Sequence, residues 1–217
     1  MTGELVTYRR ALLDERLAAH AGRMRGVVVD LGGKRDRKRG AFRPAEAGVR
    51  AWWHVNIARD TRPDVFADVT RVPLAGGVAD CVICTEVLEH LPDPAACVAQ
   101  AHRLLKPGGV MLASVPFLYP VHADPYDFQR YAPEGLRRLF RDFASVDVQP
   151  MGGYPGVLAL FLELGSLDLE GWRPWRGARR RAMLALAAWL RAKDRRSGAQ
   201  PAGWRAFSTG YFVVAVR

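Results

Sequence analysis

The sequence predicts an α/β domain built on a parallel-rich sheet with helices on both faces. Three observations carry that expectation. GVVVD at 26–30 is an unbroken β-branched run, the composition of a strand buried on both sides. Strand-like runs alternate with helix-like segments through most of the chain. And 217 residues, 49% of them hydrophobic, suffice for one domain, 1–217, with a sizeable core and no staple of disulfide or metal.

The elements follow in order. YRRALLDERLAAH at 8–20 reads as a helix, and 26–30 as the first strand. WWHVNI at 52–57 is a second strand, and PDVFADV ends a weaker third near Asp68. ADCVICTEVL at 79–88 has strand character at least to Cys84. Asp93-Pro94 opens a helix, because aspartate accepts from orphan N–H groups and proline suits the first helical position. AACVAQAHRLL continues it until Lys106-Pro107-Gly108-Gly109 ends it, and VMLASVPF is the next strand. PEGLRRLFRDF at 133–143 reads as a helix leading into the strand ASVDVQP, and GYFVVAVR at 210–217 closes the sheet. Ligands of such sheets sit at the carboxyl ends of the strands, where strand order reverses. Those ends carry Asp30, Gly32, Gly33, Asn56, Asp68, Thr85, Glu86, Pro116 and Phe117.

Cys81 and Cys84 form a C-x-x-C, but inside a strand they point to opposite faces, and no second pair or histidine cluster completes a zinc site. They read as packing residues, and no metal is expected. The net charge of +10 is regional: 34–43 holds six basic residues and one acid, 171–196 nine and one. That pattern suits an anionic surface partner better than a uniform solubilising coat. MTGELVTYRRALLDERL lacks the apolar core of a signal peptide, and AMLALAAWL at 182–190 is shorter than the roughly 20 residues that cross a bilayer. The expected location is the cytoplasm.

The run DCVICTEVLEHLPDPAACVAQAHRLLKPGGVMLASVPF at 80–117, with VVVDLGG before it, resembles the class I S-adenosylmethionine-dependent methyltransferases, nearest the methyltransferase type 11-like subgroup acting on small molecules, sugars and lipids. The likeness covers roughly 26–148 and the final strand. It implies a Rossmann-like, doubly wound, mostly parallel seven-stranded sheet with the last strand antiparallel. It also implies S-adenosyl-L-methionine as cofactor, held around Asp30, Gly32, Gly33, Asp68, Val69, Thr85 and Glu86. Gly32 and Gly33 fit a loop that a ligand approaches closely.

Two positions depart from the pattern. Lys34 stands where another glycine is usual: it points outward, or it or Arg35 pairs with the methionyl carboxylate, or the pocket is damaged. Asn56 stands where an acid usually accepts from the ribose hydroxyls, and an amide keeps only part of that pairing. Asp68 fits the position that approaches the adenine, or else caps a turn.

FLYPVHADPYDFQRYAPEGL at 117–136 resembles a segment of one branch of these enzymes and reads as an acceptor-side lid or as a structural loop. Within it His122 is the preferred base, since an unperturbed imidazole titrates near neutrality, with Asp124 or Asp127 to orient it. His90 competes for that role or caps the strand-to-helix turn. The segment 150–209 is a basic, partly apolar helical insert before the last strand. Arginines and Trp172, Trp175 and Trp189 around its apolar helix suit an anionic membrane surface, which would place the protein at the inner membrane face; a cap or dimerisation helix is the alternative.

The expected activity is O-methylation of a sugar, lipid-linked or other small-molecule acceptor. RNA methylation is the enzyme rival, but no RNA-binding module, NPPY-like motif or catalytic cysteine supports nucleic acid as partner. A degenerate scaffold is the rival from another class. A dehydrogenase lacks its G-x-G-x-x-G.

Overall fold

The computed structural model describes residues 6–35, 40–43, 48–122, 126–167, 173–196 and 202–217. Seven strands make one sheet: β1 (Gly26–Leu31), β2 (Val49–Asn56), β3 (Val65–Phe66), β4 (Ala79–Thr85), β5 (Leu105–Pro116), β6 (Ser145–Met151) and β7 (Gly210–Val216). Their order is β3-β2-β1-β4-β5-β7-β6. Strands β1 to β5 run parallel, and β7 lies antiparallel between β5 and β6. The order reverses between β1 and β4, so the ligand crevice belongs at the carboxyl ends of that pair.

Both faces of the sheet are buried, as the unbroken apolar runs require. Val27, Val29 and Leu31 join one core, with α2 (Pro94–Leu104) and α3 (Pro133–Leu139) supplying Cys97, Ala101 and Leu136. Val28 joins the other, with Leu13 and Leu17 of α1 (Tyr8–Ala19). Cys81 and Cys84 fall on opposite faces, buried and reduced. Burial pushes the Cys81 thiol up to about 12, and a hydrogen bond with Cys97, helped by burial, raises Cys84. Neither is poised as a nucleophile.

The predicted helix starts hold: the side chains of Thr7 and Asp93 accept from Arg10 N and Ala96 N at 3.4 and 3.0 Å. Three boundaries differ from the sequence expectation. Strand β3 is only two residues and ends before Asp68, because at the sheet edge it has only Val55 and Asn56 to pair with. Helix α2 stops at Leu104, and the chain is already extended at Leu105; Lys106–Gly109 bulges where the β4–β5 register shifts. Helix α3 stops at Leu139, and Phe140 and Phe143 drop into the core beyond it.

Between β6 and β7 come α4 (Tyr154–Gly165), α5 (Arg173–Arg196) and α6 (Ala202–Arg205), with α5 packed along α4. Tyr8 docks this layer onto α1. Its backbone N–H donates to Glu163 Oε2 at 2.7 Å and its hydroxyl to Asp194 Oδ2 at 2.9 Å. Arg191 neutralises the buried Glu163. Among the described residues no helix is long and apolar enough to cross a membrane.

Candidate active site

The carboxyl edge of β1 and β2 is held together by its own polar groups. Gly32 adopts φ +77°, and a Cβ there would collide with Val87 Cγ2; one on Gly33 would collide with the Asp30 carboxyl. These glycines therefore serve close packing of the chain on itself, where the sequence reading reserved their space for ligand. Asn56 is buried, and its amide donates to Gly32 O at 3.0 Å and Gly33 O at 3.1 Å while its oxygen accepts from Ala58 N at 2.9 Å. The expected partial ribose pairing is replaced by a clamp on the glycine loop, a task that needs donors and so an amide rather than an acid. Arg35 is also engaged, pairing with Asp64, which accepts from His54 N at 2.9 Å and contacts His54 Nδ1 at 3.0 Å. Lys34, the residue before Arg35, is exposed.

Asp68 is exposed, and its Oδ1 accepts from Thr70 N and Thr70 Oγ1, both at 2.8 Å, so it caps a turn and still faces solvent. Val69, also expected at the cofactor, has its side chain buried in the core. Ile57, which the sequence reading passed over, stands 66% exposed just past β2. An isolated aliphatic directly after a buried strand end is the signal that could have found it.

Beyond β4 the chain makes a tight turn. Glu86, a non-glycine residue at φ +58°, points inward. Its carboxylate accepts from Ser114 Oγ at 2.6 Å and pairs with Arg9 of α1. Burial opposes its charge, but Arg9 and Ser114 hold its carboxyl below the ordinary value. Glu86 is thus an internal anchor and not the cofactor contact expected of it. Arg9 in turn donates to Thr209 O at 3.2 Å and lies 5.1 Å over the Tyr119 ring. Arg9 had a legible signal, since it shares the apolar stripe of Leu13 and Leu17 at helical spacing.

A 3-10 turn at Leu88–His90 follows, sending Leu88 and Glu89 inward and leaving His90 partly open. Glu89 is 0% exposed, and neither of its oxygens has a hydrogen-bond partner among the described residues. Burial, with the nearby Glu86 charge second, pushes its carboxyl up to about 8. His90 Nδ1 lies 2.6 Å from Tyr126 O, and the His90 and His122 rings meet edge-on, centroids 4.9 Å apart. His122 Nδ1 lies 3.4 Å from both Pro120 O and Asp127 Oδ2. Carbonyl and carboxylate oxygens can only accept, so each Nδ1 carries a proton, and in the neutral ring the lone pair is then on Nε2. The Oε of Glu89 and a nitrogen of each imidazole lie within 4.8 Å of one another.

Asp127, one of the two aspartates expected to orient His122, lies against its ring and accepts from His122 N at 2.9 Å. The Arg130 guanidinium, aided by that N–H, holds its carboxyl well below the usual range. Burial, then the neighbouring His90, lowers the His122 imidazole. Asp124 lies outside the described residues. The 126–132 stretch seats itself on the turn through Phe128 N to Glu89 O at 2.8 Å and Gln129 Nε2 to Leu91 O at 2.9 Å. Glu89 itself escaped the sequence reading; a carboxylate set between Leu88 and His90 after a buried strand gives no sign that it lacks a partner.

A family model described as a methyltransferase domain matches residues 51–113. A ubiquinone biosynthesis O-methyltransferase of Xanthomonas oryzae pv. oryzae is 34% identical over 115 residues, which are 48% of this chain and 44% of that protein. The chain thus spans less than half the length of that curated relative. A SAM-dependent methyltransferase of Archaeoglobus fulgidus superposes with a TM-score of 0.58 at 17% identity, covering 96% of this chain and 94% of that one. The 1,6-didemethyltoxoflavin-N1-methyltransferase of Burkholderia thailandensis, solved with bound 1,6-didemethyltoxoflavin and S-adenosylhomocysteine, gives 0.54 at 19% identity, covering 97% of this chain and 78% of that one. The seven-stranded sheet is thus the fold of the S-adenosylmethionine-dependent methyltransferases on which the chain superposes, and residues 51–113 match the methyltransferase domain.

Proposed function

We propose that this chain transfers a methyl group from S-adenosylmethionine to an oxygen of a small-molecule acceptor. One observation carries the reading: Glu89, His90 and His122 converge at the carboxyl ends of β4 and β5, next to Val87, which lies against Gly32 of the cofactor loop. When bound, S-adenosylmethionine supplies an electrophilic methyl on a sulfonium. The residues present fit it at both ends. Exposed Ile57 and Asp68 would hold the base, and Lys34 with the backbone of Gly32 and Gly33 the amino-acid end, with Thr85 between them. The chain's own work is to bring the acceptor oxygen into line, exclude water and take up the hydroxyl proton as the new O–C bond forms. A neutral imidazole of His90 or His122 would accept that proton, and the contact of Asp127 with the His122 ring supports that reading. Tyr126 and Phe128, exposed beside the cluster, offer the acceptor two aromatic faces.

For the acceptor we favour a lipid-linked molecule met at the cytoplasmic membrane face. Trp175, Trp189 and Leu186 are exposed on α5, 62%, 58% and 49%, on a helix that carries nine arginines and lysines. Tryptophan and arginine around an apolar stripe suit an anionic bilayer interface, at about 1 kcal/mol per basic residue near the surface.

Thermal shift tests the first part. S-adenosylhomocysteine at a hundred times its Kd should add about 2.7 kcal/mol, or about 5–11 °C for a chain of this size, while NAD adds nothing. No stabilisation at millimolar adenosyl ligand leaves a scaffold protein. Labelled methyl should then enter the lipid fraction of a cell extract, and the protein should pellet with phosphatidylglycerol vesicles and be released by salt. Label confined to the aqueous fraction removes the lipid-linked acceptor.

A further inference from the structure

We infer that Glu89, His90 and His122 form a binding site for a divalent transition-metal ion. Binding itself stands apart from the methyl-transfer reading; only the ion's role in catalysis rests on it. Two imidazole nitrogens and one carboxylate oxygen are a donor set suited to Zn(II), Co(II), Mn(II) or Fe(II), and poorly suited to Ca(II), which takes oxygen ligands.

The geometry is close to closed. Glu89 Oε1 and His90 Nε2 are 3.8 Å apart, and the ligand atoms of all three residues lie within 4.8 Å of one another. Bonds of about 2.0–2.2 Å to a shared ion put neighbouring ligands roughly 3.0–3.5 Å apart, so small side-chain rotations complete the site. The outer shell is already in place. Tyr126 O and Asp127 accept from the Nδ1 atoms, which in the neutral rings leaves Nε2 as the ligating nitrogen, and Nε2 of His90 is the atom that lies nearest Glu89. The independent sign of a missing ligand is Glu89, fully buried with neither oxygen hydrogen-bonded among the described residues. A buried carboxylate without a partner is costly, and a cation is the partner that would meet both of its needs, for charge and for coordination.

Three protein ligands leave positions toward the side where His122 is a third exposed. An acceptor hydroxyl directed there gives up its proton to water more easily, because the ion stabilises the oxygen anion as methyl transfer begins. The imidazoles then serve as ligands, and the ion takes over the ionising role.

Untagged protein stripped with chelator and titrated with Co(II) tests the site. The expected result is saturable binding with the visible absorption of a nitrogen- and oxygen-ligated ion, weakened at least tenfold in His90→Ala and in His122→Ala and unchanged in His102→Gln. Circular dichroism checks that each variant is folded, and His122→Ala, at a side chain a third exposed, tests the site if Glu89→Gln fails to fold. No binding at millimolar Co(II), or binding indifferent to both alanine variants, overturns the inference. Co(II) binding without stabilisation by S-adenosylhomocysteine keeps the site and removes the methyl-transfer reading. Stabilisation by S-adenosylhomocysteine with no Co(II) binding does the reverse.

Discussion

The two halves of the carboxyl edge of this sheet are built on opposite terms. Past β1 and β2, polar groups satisfy one another: Asn56 clamps the glycine carbonyls, Arg35 pairs with Asp64, and the Asp30 carboxyl covers Gly33. Past β4 and β5, one polar cluster is left open: Glu89 has no hydrogen-bond partner among the described residues, and a nitrogen of each of two imidazoles lies within 4.8 Å of it. A buried donor or acceptor without a partner costs about 1–3 kcal/mol, more when charged. A ligand or substrate that satisfies such a cluster removes that cost. The satisfied half therefore reads as scaffold for a cofactor held largely by shape and backbone, and the open half as the place of chemistry.

The largest expected effect is at the open half. Glu89→Gln should reduce methyl transfer by about 10²–10⁴-fold with little loss of thermal stability, since it removes a buried carboxyl that no hydrogen bond compensates. Single-turnover transfer of labelled methyl measures the first and calorimetry the second. With its carboxyl pushed up to about 8, Glu89 could instead act in its neutral form. Glutamine imitates that form, so an unimpaired variant would show that Glu89 works protonated and would end its role as an ionic partner.

The contrast between the halves also explains what was legible in the sequence. The sheet was, because β-branched runs such as Val27–Val29 and the turn around Gly108 act locally. Where an element's end depends on a neighbour, local signals failed: β3 stops where pairing with Asn56 stops, and α3 stops where Phe140 is drawn into the core. His90, His122 and Asp127 were legible as residue types in a dense polar segment. That Asn56 and Glu86 turn inward was not, because an amide or acid at a strand end looks the same whether it faces ligand or chain. Glu89 was invisible for a related reason: only three-dimensional packing decides whether a carboxylate has partners.

At the satisfied half the effects should be structural and smaller. Gly32→Ala forces a side chain into left-handed backbone and against Val87, for a combined cost of about 2–4 kcal/mol. Adding Val87→Ala should recover the packing part and leave the conformational part. Full recovery of the melting temperature in the double variant would mean that φ strain contributes nothing. Asn56→Asp should cost about 2 kcal/mol, because a carboxylate would face two carbonyl oxygens where an amide donated. S-adenosylhomocysteine should bind it more weakly as the loop loosens. If the acid instead tightened binding, Asn56 would be a degraded ribose contact and the contrast between the halves would blur.

The smallest stability effect separates two neighbouring cations. Arg35→Ala should lower stability by less than about 1 kcal/mol, since half of its side chain is in solvent and exposed ion pairs contribute little. It should leave S-adenosylhomocysteine affinity unchanged, whereas Lys34→Ala should weaken it about tenfold if Lys34 meets the methionyl carboxylate. A tenfold loss in Arg35→Ala would show instead that Arg35 leaves Asp64 for the ligand. Asp64 supplies a check by pH. Burial raises its carboxyl, but the His54 N–H and side chain and Arg35 outweigh that and hold it below its ordinary value. A carboxyl lowered in the folded state adds stability that is complete above its unfolded value of about 3.9 and is lost as pH falls through the folded value. The wild-type melting temperature should therefore fall more steeply than that of Asp64→Asn below about pH 4, and Arg35→Ala should lie between them.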